Sequence, residues 1–332
     1  MTALLLPIMA AVLTWGATWV FLRAMQARNR LEPPSARGMH AAPVVTGAGA
    51  VIVAVVIALA AVNSGSGARA FVVTVLTVVA LLAVLSWVDD HRGGLSPAAR
   101  LAAQSAAVAL MLFQLDDAER VLPALPLVAE RVLLGVAWVW FINLFNFMDG
   151  IDGLAGSETV AVAFGCFLVS AFATATHPAG SLALIVAGAA AGYLMWNWHP
   201  AKLMMGDTGS IPLGFLLGWL LIDLALRGYP AAALILPLCF VTDATLTLIR
   251  RICRGETPWQ AHRDHTYQRA ALATGSHAAV VVRFIAANVV LVALALLSVR
   301  YPLAALAGAI ATVAMLMMHL ERLAKGAGAQ QL

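Results

Sequence analysis

The stretch "RVLLGVAWVWFINLFNFMDGIDGLAGSE", Arg131–Glu158, joins a long apolar run directly to a cluster of amides and carboxylates. No charged side chain occurs between Val132 and Met148. A helix needs about 20 predominantly apolar residues to cross a hydrocarbon core, where unpaired backbone groups are too costly for irregular structure. The run therefore predicts a membrane-spanning helix that ends in polar chemistry.

The composition of the whole chain extends this interpretation. Only 11% of its 332 residues are charged and 62% are hydrophobic, whereas soluble domains carry about 25% charged residues. The apolar runs are continuous rather than alternating, which favours helices over the strands of a closed barrel. The sequence predicts an all-α polytopic integral membrane protein, a single domain over residues 1–332, with about 10–11 transmembrane helices.

Eleven segments are apolar enough to be candidate spans. They lie at about 3–22, 47–63, 70–88, 101–115, 131–147, 158–176, 180–196, 210–226, 231–249, 279–298 and 302–319.

The distribution of Lys and Arg predicts how these spans are oriented. With the N-terminus outside, 15 of the 20 basic residues fall in inner segments and five in outer ones. This asymmetry follows the positive-inside rule and predicts a membrane protein with its N-terminus outside and its C-terminus on the cytoplasmic side. The +4 net charge then requires no nucleic-acid partner. The loops that carry motifs all fall on the cytoplasmic side, where we expect the active site.

Polar residues recur in steps of three through the opening stretch, at Asn143, Asn146, Asp149 and Asp152. This spacing keeps side chains roughly on one face of a helix, and a glycine after each aspartate permits the chain to leave helical geometry. The pattern predicts a polar stripe that leads into a turn and binds a ligand. A plain helix end with solvated aspartates is the alternative.

Two further motifs place carboxylates at the ends of spans. Adjacent Asp89 and Asp90 repel one another unless a cation or a shared proton compensates, and Mg²⁺ takes oxygen ligands together with substrate phosphates. Asp207 in "GDTGS" lies among small residues at the start of a span, where a helix N-terminus favours anions. Asn197 and Lys202 precede it with an amide and a cation. The alternative for Asp89 and Asp90 is a solvated loop start, and that for Asp207 is a helix cap. For Asn197 and Lys202 the alternative is an ordinary loop.

The loop "RRICRGETPWQAHRDHTYQR" concentrates cations and imidazoles. Arginine matches phosphate oxygens with a planar fork, although Arg250 and Arg251 would also satisfy the positive-inside rule. Arg263 between His262 and His265 is a stronger candidate for an anionic substrate. Zinc is disfavoured for "HRDH", because no Cys or third His lies close in the sequence.

Ionisable residues inside spans are functional candidates by default. For Asp243 an interhelical hydrogen bond is an equal alternative, whereas Asp223 and Asn288 are expected to be structural. The three cysteines form neither a disulfide framework nor a CxxC metal motif.

Taken together, these motifs resemble the polyprenyl-phosphate N-acetylhexosamine-1-phosphate transferase superfamily. "NFMDGIDGLAG" followed by "MGDTGS" is a specific combination, and five motifs occur in the superfamily's order over nearly the whole chain. The loop "RGETPWQAHRDHTYQR" is most similar to the bacterial O-antigen-initiating branch, since the muramoyl-pentapeptide branch has a histidine triplet there.

The resemblance implies a role for each candidate residue. Asp89 and Asp90 would be catalytic and serve the lipid phosphate, and Asp207 would bind the metal. The remaining candidates would bind the substrates: Asn146, Asp149, Asp152, Asn197, Lys202, Arg250, Arg251, His262, Arg263 and His265. Met204 departs from a frequent Phe near the uracil and Thr46 from a frequent Arg, so we assign no catalytic role to the loop that contains Thr46.

The resemblance also implies the reaction and its partners. A UDP-N-acetylhexosamine would react with undecaprenyl phosphate to give undecaprenyl-diphospho-sugar and UMP, with Mg²⁺ as cofactor and Mn²⁺ as its alternative. The sugar, the choice between direct attack and an aspartyl-phosphate intermediate, and a homodimer stay open. A secondary transporter of an anionic substrate is the alternative function, although transporters often have inverted repeats and no repeat is visible. A non-catalytic membrane scaffold is the third hypothesis.

Overall fold

A computed structural model describes residues 2–33, 39–40, 43–63, 69–92, 95–173, 178–257, 260 and 262–326. Arg37, one of the predicted inner charges, and residues 174–176 of the sixth predicted span lie outside this part of the chain. The described residues are predominantly helical and form no sheet, only the isolated bridges Glu32–Val44 and Val45–Leu203. The predicted all-α polytopic membrane fold is confirmed, whereas the single-domain organisation stays a prediction.

Thirteen helices make up the described part of the molecule. They are α1 (Thr2–Ala27), α2 (Gly49–Asn63), α3 (Arg69–Arg92), α4 (Pro97–Leu112), α5 (Leu127–Phe147), α6 (Leu154–Ala173), α7 (Pro178–Asn197), α8 (Asp207–Leu226), α9 (Pro230–Ile235), α10 (Leu238–Cys253), α11 (Thr266–Thr274), α12 (His277–Ser298) and α13 (Pro302–Gly326).

The helices match the predicted spans closely, with one interruption. Eight are long and apolar enough to cross a membrane, and α2 and α4 are shorter apolar helices. The ninth predicted span, 231–249, is instead divided between α9 and α10, and Pro237 is the N-cap of α10. Proline cannot donate a backbone hydrogen bond and disfavours a continuous helix, which accounts for the break.

Helix α8 is the buried centre of the bundle. Nearly all its residues from Thr208 to Ala225 are buried, and it packs against α2, α3, α5 and α6. The approach to α2 is closest at Gly209, where an added Cβ would lie 2.4 Å from Cα of Gly49. Small residues allow such close packing of membrane helices. Asp207 is therefore held at the end of a helix with little freedom to move.

Three polar residues in the spans stabilise the bundle through hydrogen bonds or ion pairs. The sequence left the role of one of them open and predicted a structural role for the other two. Asp243 accepts backbone hydrogen bonds from Thr266 at 2.8 Å and Tyr267 at 2.9 Å, so α10 caps the start of α11. Asp223 pairs with Arg227 at 2.7 Å on the same helix. Asn288 donates to Glu158 at 2.6 Å between α12 and α6. The hydrogen-bonding alternative thus accounts for Asp243.

Candidate functional site

Three carboxylates and one guanidinium converge at the shared end of α3, α4 and α8. Arg100 contacts Asp89 through Nε at 2.9 Å and Asp207 through Nη1 at 3.3 Å. Oδ2 of Asp90 accepts from the hydroxyl of Thr208 at 2.8 Å and from its N–H at 3.3 Å. We call Asp89, Asp90, Arg100 and Asp207 the carboxylate cluster. Its two aspartate motifs, separated by more than a hundred residues in the sequence, lie side by side.

The donors of the carboxylate cluster fit a magnesium ion. These four side chains comprise three carboxylates and one guanidinium, so acidic groups outnumber basic ones. Mg²⁺ prefers oxygen ligands and is usually held by one or two carboxylates together with substrate phosphates. The start of α8 also directs its N–H groups toward this region, which favours a phosphate. Mn²⁺ suits the same oxygen donors.

The side chains of the polar stripe in the opening stretch contact different parts of the protein. Asn143 faces α4, where its amide donates to Gln104 at 2.7 Å. Asn146 accepts from the hydroxyl of Ser210 at 2.8 Å and hydrogen-bonds Asp207, so it borders the carboxylate cluster. Burial and the charge of Asp207 raise the pKa of Asp149. Helix α5 ends at Phe147, and the turn beyond it separates side chains that a continuous helix would align.

A second cluster surrounds Asp152, the last residue of the stripe. Its carboxylate lies 2.7 Å from Nδ1 of His199, 3.1 Å from Nδ1 of His277 and 3.4 Å from Nδ1 of His40. Burial raises the pKa of Asp152, but His277, the N–H of Ala201 and His199 outweigh it and hold that pKa well below its ordinary value. We call Asp152, His40, His199 and His277 the histidine cluster.

Sequence reasoning missed the three histidines of this cluster. They lie in three different segments: the loop before α2, the loop after α7 and the first turn of α12. No short motif joins them, so only the tertiary structure reveals their proximity. Burial lowers the pKa of His40 despite the attraction of Asp152.

The loop before α8 is braced from within the protein. Asn197 is buried, accepts from the N–H of Gly153 at 2.9 Å and donates to the carbonyl of Leu203 at 2.9 Å. Met204 pairs through its backbone N–H with Val45 at 2.7 Å, which brings the Thr46 loop beside it. Lys202 is exposed, with Nζ 5.0 Å from the centroid of the Trp196 ring. In this structure Asn197 supports the loop, and its substrate-binding role stays a prediction.

The predicted arginines of the last loop are largely engaged in ion pairs. Arg251 is buried and contacts Asp264 and, at 2.8 Å, Glu256. Arg250 pairs with Glu321 of α13 at 2.7 Å. A cavity of about 350 Å³ beside them is lined by Thr247, Arg250, Arg254, Asp264, Arg269, Glu321 and Lys325. It shares no lining residue with the carboxylate cluster.

The two histidines of that loop pack together, and Arg263 lies between them in the sequence. The rings of His262 and His265 are 4.9 Å apart. Burial, followed by the charge of His262, lowers the pKa of His265 to about 3, and burial lowers that of His262. Arg263 is half-buried. The neighbouring Tyr267 donates to the carbonyl of Phe147 at 2.9 Å, so α11 is anchored to the turn after α5.

Comparisons with known proteins agree with the motifs. A family model described as glycosyl transferase family 4 matches residues 72–225. The chain is 41% identical over 93 residues to a phospho-N-acetylmuramoyl-pentapeptide-transferase of Bacillus pumilus, covering 25% of this chain and 28% of that protein. Over these residues the chain is similar to polyprenyl-phosphate sugar-1-phosphate transferases.

Two other proteins are similar to this chain over longer stretches. A Bacillus subtilis protein named "Probable undecaprenyl-phosphate N-acetylglucosaminyl 1-phosphate transferase" is 30% identical over 158 residues, 44% of each chain. A Streptomyces coelicolor protein with a glycosyltransferase name is 32% identical over 218 residues, 58% of this chain and 53% of that protein. The matches thus cover about a quarter to half of these relatives' lengths.

The extent of the family match is informative about the site. Residues 72–225 contain the whole carboxylate cluster, the turn after α5 and the loop before α8. They stop before the histidines and arginines of the last loop and begin after His40. The matched segment therefore contains the carboxylate cluster but neither the last loop nor the loop before α2.

Proposed function

We propose that this protein transfers N-acetylhexosamine-1-phosphate from a UDP-sugar to undecaprenyl phosphate and releases UMP. The main support for this proposal is the carboxylate cluster, in which Asp89 and Asp207 from two helices share Arg100 and Asp90 binds Thr208 beside Asp207. An excess of carboxylates at the end of an apolar bundle suits a divalent cation shared by two anionic substrates, one soluble and one lipid.

The reaction exchanges one phosphoanhydride bond for another. An oxygen of undecaprenyl phosphate attacks the sugar-bearing phosphorus of the donor, and the bond from that phosphorus to the bridging oxygen breaks. The electron pair leaves on UMP. Asp89 and Asp90 position the lipid phosphate and take its remaining proton, as general bases do in phosphoryl transfer.

The donor would be oriented by the remaining candidates. Asn146 and Asp149 border the carboxylate cluster and bind the nucleotide-sugar, and His262, Arg263 and His265 contact the diphosphate and sugar. A Mg²⁺ ion held by Asp207 supplies positive charge that offsets the repulsion between the two phosphate groups. The resemblance also assigns substrate binding to four further residues: Asn197, Lys202, Arg250 and Arg251. It includes Asp152 among the nucleotide-sugar contacts.

The finer features of the function follow the resemblance to the O-antigen-initiating branch. We propose UDP-GlcNAc or a 6-deoxy relative, UDP-QuiNAc or UDP-FucNAc, as donor, and initiation of O-antigen or another surface glycan as the role. The named relatives from Bacillus include muramoyl-pentapeptide transferases, so UDP-MurNAc-pentapeptide belongs in the substrate panel. The protein would lie in the bacterial inner membrane, with a periplasmic N-terminus, a cytoplasmic C-terminus and a homodimer as its assembly.

The test is UMP release and lipid-product mass from purified protein with undecaprenyl phosphate, Mg²⁺ and each UDP-sugar. We expect one donor to give a lipid product that is heavier by its sugar phosphate. Asp207→Asn should lower turnover by about 10²–10³-fold, the usual loss when charge stabilisation is removed from a transition state. Asp223→Asn changes an aspartate on the same helix that pairs with Arg227 and should keep wild-type turnover.

Two results would contradict the proposal. Wild-type UMP release by Asp207→Asn would remove the assigned metal site. Accumulation of the nucleotide-sugar inside proteoliposomes without UMP release would favour the transporter instead.

A separate measurement distinguishes the two chemical routes. Protein incubated with labelled UMP and UDP-sugar, but without lipid, should exchange no label if the lipid phosphate attacks directly. Exchange that depends on Asp89 or Asp90 would support an aspartyl-phosphate intermediate.

A further inference from the structure

Four segments of the chain meet on one buried carboxylate. Asp152 is only 3% exposed and lies in the turn between α5 and α6. His40 precedes α2, His199 follows α7 and His277 is the first residue of α12. Their Nδ1 atoms all face Asp152, at 3.4, 2.7 and 3.1 Å respectively. The surroundings of this carboxylate are therefore built from imidazoles rather than from the arginine that serves Asp89 and Asp207.

The two oxygens of Asp152 have different surroundings. Oδ2 accepts from the N–H of Ala201 at 3.0 Å and contacts His199. Among the described residues, Oδ1 has no hydrogen-bond partner, although the nitrogens of His40 and His277 are nearby. Nδ1 of His277 also lies 3.4 Å from the backbone nitrogen of Asp152. An oxygen of Asp152 and two imidazole nitrogens thus face one another, and these are donor atoms that a transition-metal cation takes.

We propose that His40, Asp152 and His277 bind a transition-metal dication of the zinc type, at a site separate from the carboxylate cluster. One ring nitrogen of each histidine and one oxygen of Asp152 all lie within 4.8 Å of one another. Tetrahedral coordination with bonds of about 2.0–2.2 Å places neighbouring ligand atoms about 3.3–3.5 Å apart. The separations of 3.1 and 3.4 Å from Oδ1 match that spacing with little rearrangement.

The donor types select the class of metal. Two imidazoles and one carboxylate suit Zn²⁺ and its first-row neighbours, whereas Mg²⁺ prefers a shell of oxygens and several waters. His199 and the N–H of Ala201 hold the other oxygen of Asp152, the kind of outer contact that orients a metal-bound carboxylate. His40 and His277 keep 17% and 12% of their side chains exposed, which gives an ion access from solvent.

The metal would fasten the loop before α2 and the start of α12 to the turn that carries Asp149 and Asp152. Asp152 would then be a metal ligand, and this role replaces the nucleotide-sugar contact proposed for it above. The inference does not rest on the proposed function, because metal binding is measured without nucleotide, lipid or turnover.

The experiment measures zinc in the full-length protein purified in detergent. Elemental analysis after dialysis without chelator should find about one zinc per chain. Metal-stripped protein titrated with Zn²⁺ against a chromophoric chelator should then give the affinity. We expect His40→Gln and His277→Gln to weaken Zn²⁺ binding by at least about 100-fold, and His199→Gln by about 10–100-fold. Excess Mg²⁺ should not compete.

His319→Gln is the matched control, since His319 hydrogen-bonds Arg283 at 2.9 Å in another part of the fold and should bind zinc like the wild type. Only variants that elute like the wild type in size-exclusion chromatography are compared. X-ray absorption of the zinc-loaded wild type provides a readout without any substitution, and two imidazole ligands are expected. Wild-type affinity in both His40→Gln and His277→Gln, or zinc without imidazole scattering, would overturn the proposal.

Discussion

Acidic side chains at the two ends of the helical bundle differ in how fully hydrogen bonds and opposite charges surround them. At the end formed by residues 113–126, between α4 and α5, buried Glu130 accepts from Arg120 at 2.5 Å and from the N–H groups of Val121 and Leu122 at 2.6 and 3.1 Å. About 18 Å away along α4, Asp89 and Asp207 of the carboxylate cluster share Arg100, and Asp90 accepts from Thr208.

This difference separates acids that hold the fold from acids that we propose to bind a ligand. A buried charge is tolerated when hydrogen bonds and an opposite charge complete its surroundings, and the chain itself does this for Glu130. The local loop repeats the pattern, because Asp116 accepts from the N–H of Ala118 at 2.9 Å and Glu119 from that of Asp116 at 3.1 Å. In the carboxylate cluster, acids outnumber the one arginine that pairs with Asp89 and Asp207, and we propose that a cation and phosphates complete their surroundings.

The largest effect expected from this comparison is on turnover. Asp90→Asn should lower UMP release by about 10²–10⁴-fold, the usual contribution of a positioned acid or base. Its unfolding temperature should stay at or above the wild-type value, because removing one of three crowded carboxylates relieves repulsion. Assays of UMP release and thermal unfolding in the same detergent measure both quantities. A strongly destabilised Asp90→Asn with normal turnover per folded molecule would break the comparison.

The reverse behaviour is expected at the opposite end. Glu130→Gln should destabilise the protein by about 3–5 kcal/mol, because it leaves Arg120 without its buried partner, while UMP release per folded molecule stays normal. Thermal unfolding and turnover of the folded fraction measure the two effects. The exposed Asp117 of the same loop provides Asp117→Asn as control, which should change neither. Loss of turnover without loss of stability would contradict the assigned structural role.

A smaller effect tests how firmly the packing holds the carboxylate cluster. Gly209→Ala places a methyl group 2.4 Å from Cα of Gly49 and 2.4 Å from Cγ of Met205. Overpacking of this kind costs about 1–3 kcal/mol and displaces the first turn of α8, so both unfolding temperature and turnover should fall. Gly16→Ala is the control, since an added Cβ there meets nothing within 4 Å. Unchanged turnover in Gly209→Ala would show that Asp207 tolerates such movement.

The smallest effect expected is on the pH dependence of stability. In the unfolded chain His265 gains a proton near pH 6.5, whereas in the folded protein its pKa is about 3, so it stays neutral until the pH falls to that value. The unfolded state binds more protons between these values, so the free energy of unfolding falls as pH is lowered through that window. Unfolding temperatures measured between about pH 7 and pH 5 should fall less steeply in His265→Gln than in the wild type. An equally steep fall would exclude this contribution, and His319→Gln should match the wild type.

Much of the fold was predictable because the lipid hydrocarbon core offers no hydrogen-bond partners to the backbone. An apolar run of sufficient length must be helical to pair its backbone groups, so the predicted spans 70–88, 131–147 and 210–226 correspond to α3, α5 and α8. Pro237 was a visible signal for the break between α9 and α10. Helix α11 was not predicted, because it is short and its start is capped by Asp243 from another helix.

The candidate site was predictable only in part. Adjacent Asp89 and Asp90, and Asp207 among small residues, stand out in the sequence because they interrupt apolar runs. Arg100 gave no signal, since its pairing with Asp89 and Asp207 joins separate helices.

The sequence by itself determined which segments are helical spans and which loops carry charge, because hydropathy and local periodicity act within one segment. Only the tertiary structure decided which carboxylates share an arginine, which are neutralised, and which face histidines. Those outcomes depend on distances of about 3 Å between residues far apart along the chain. Electrostatic compensation depends on such short distances, so it becomes defined only once the helices have packed.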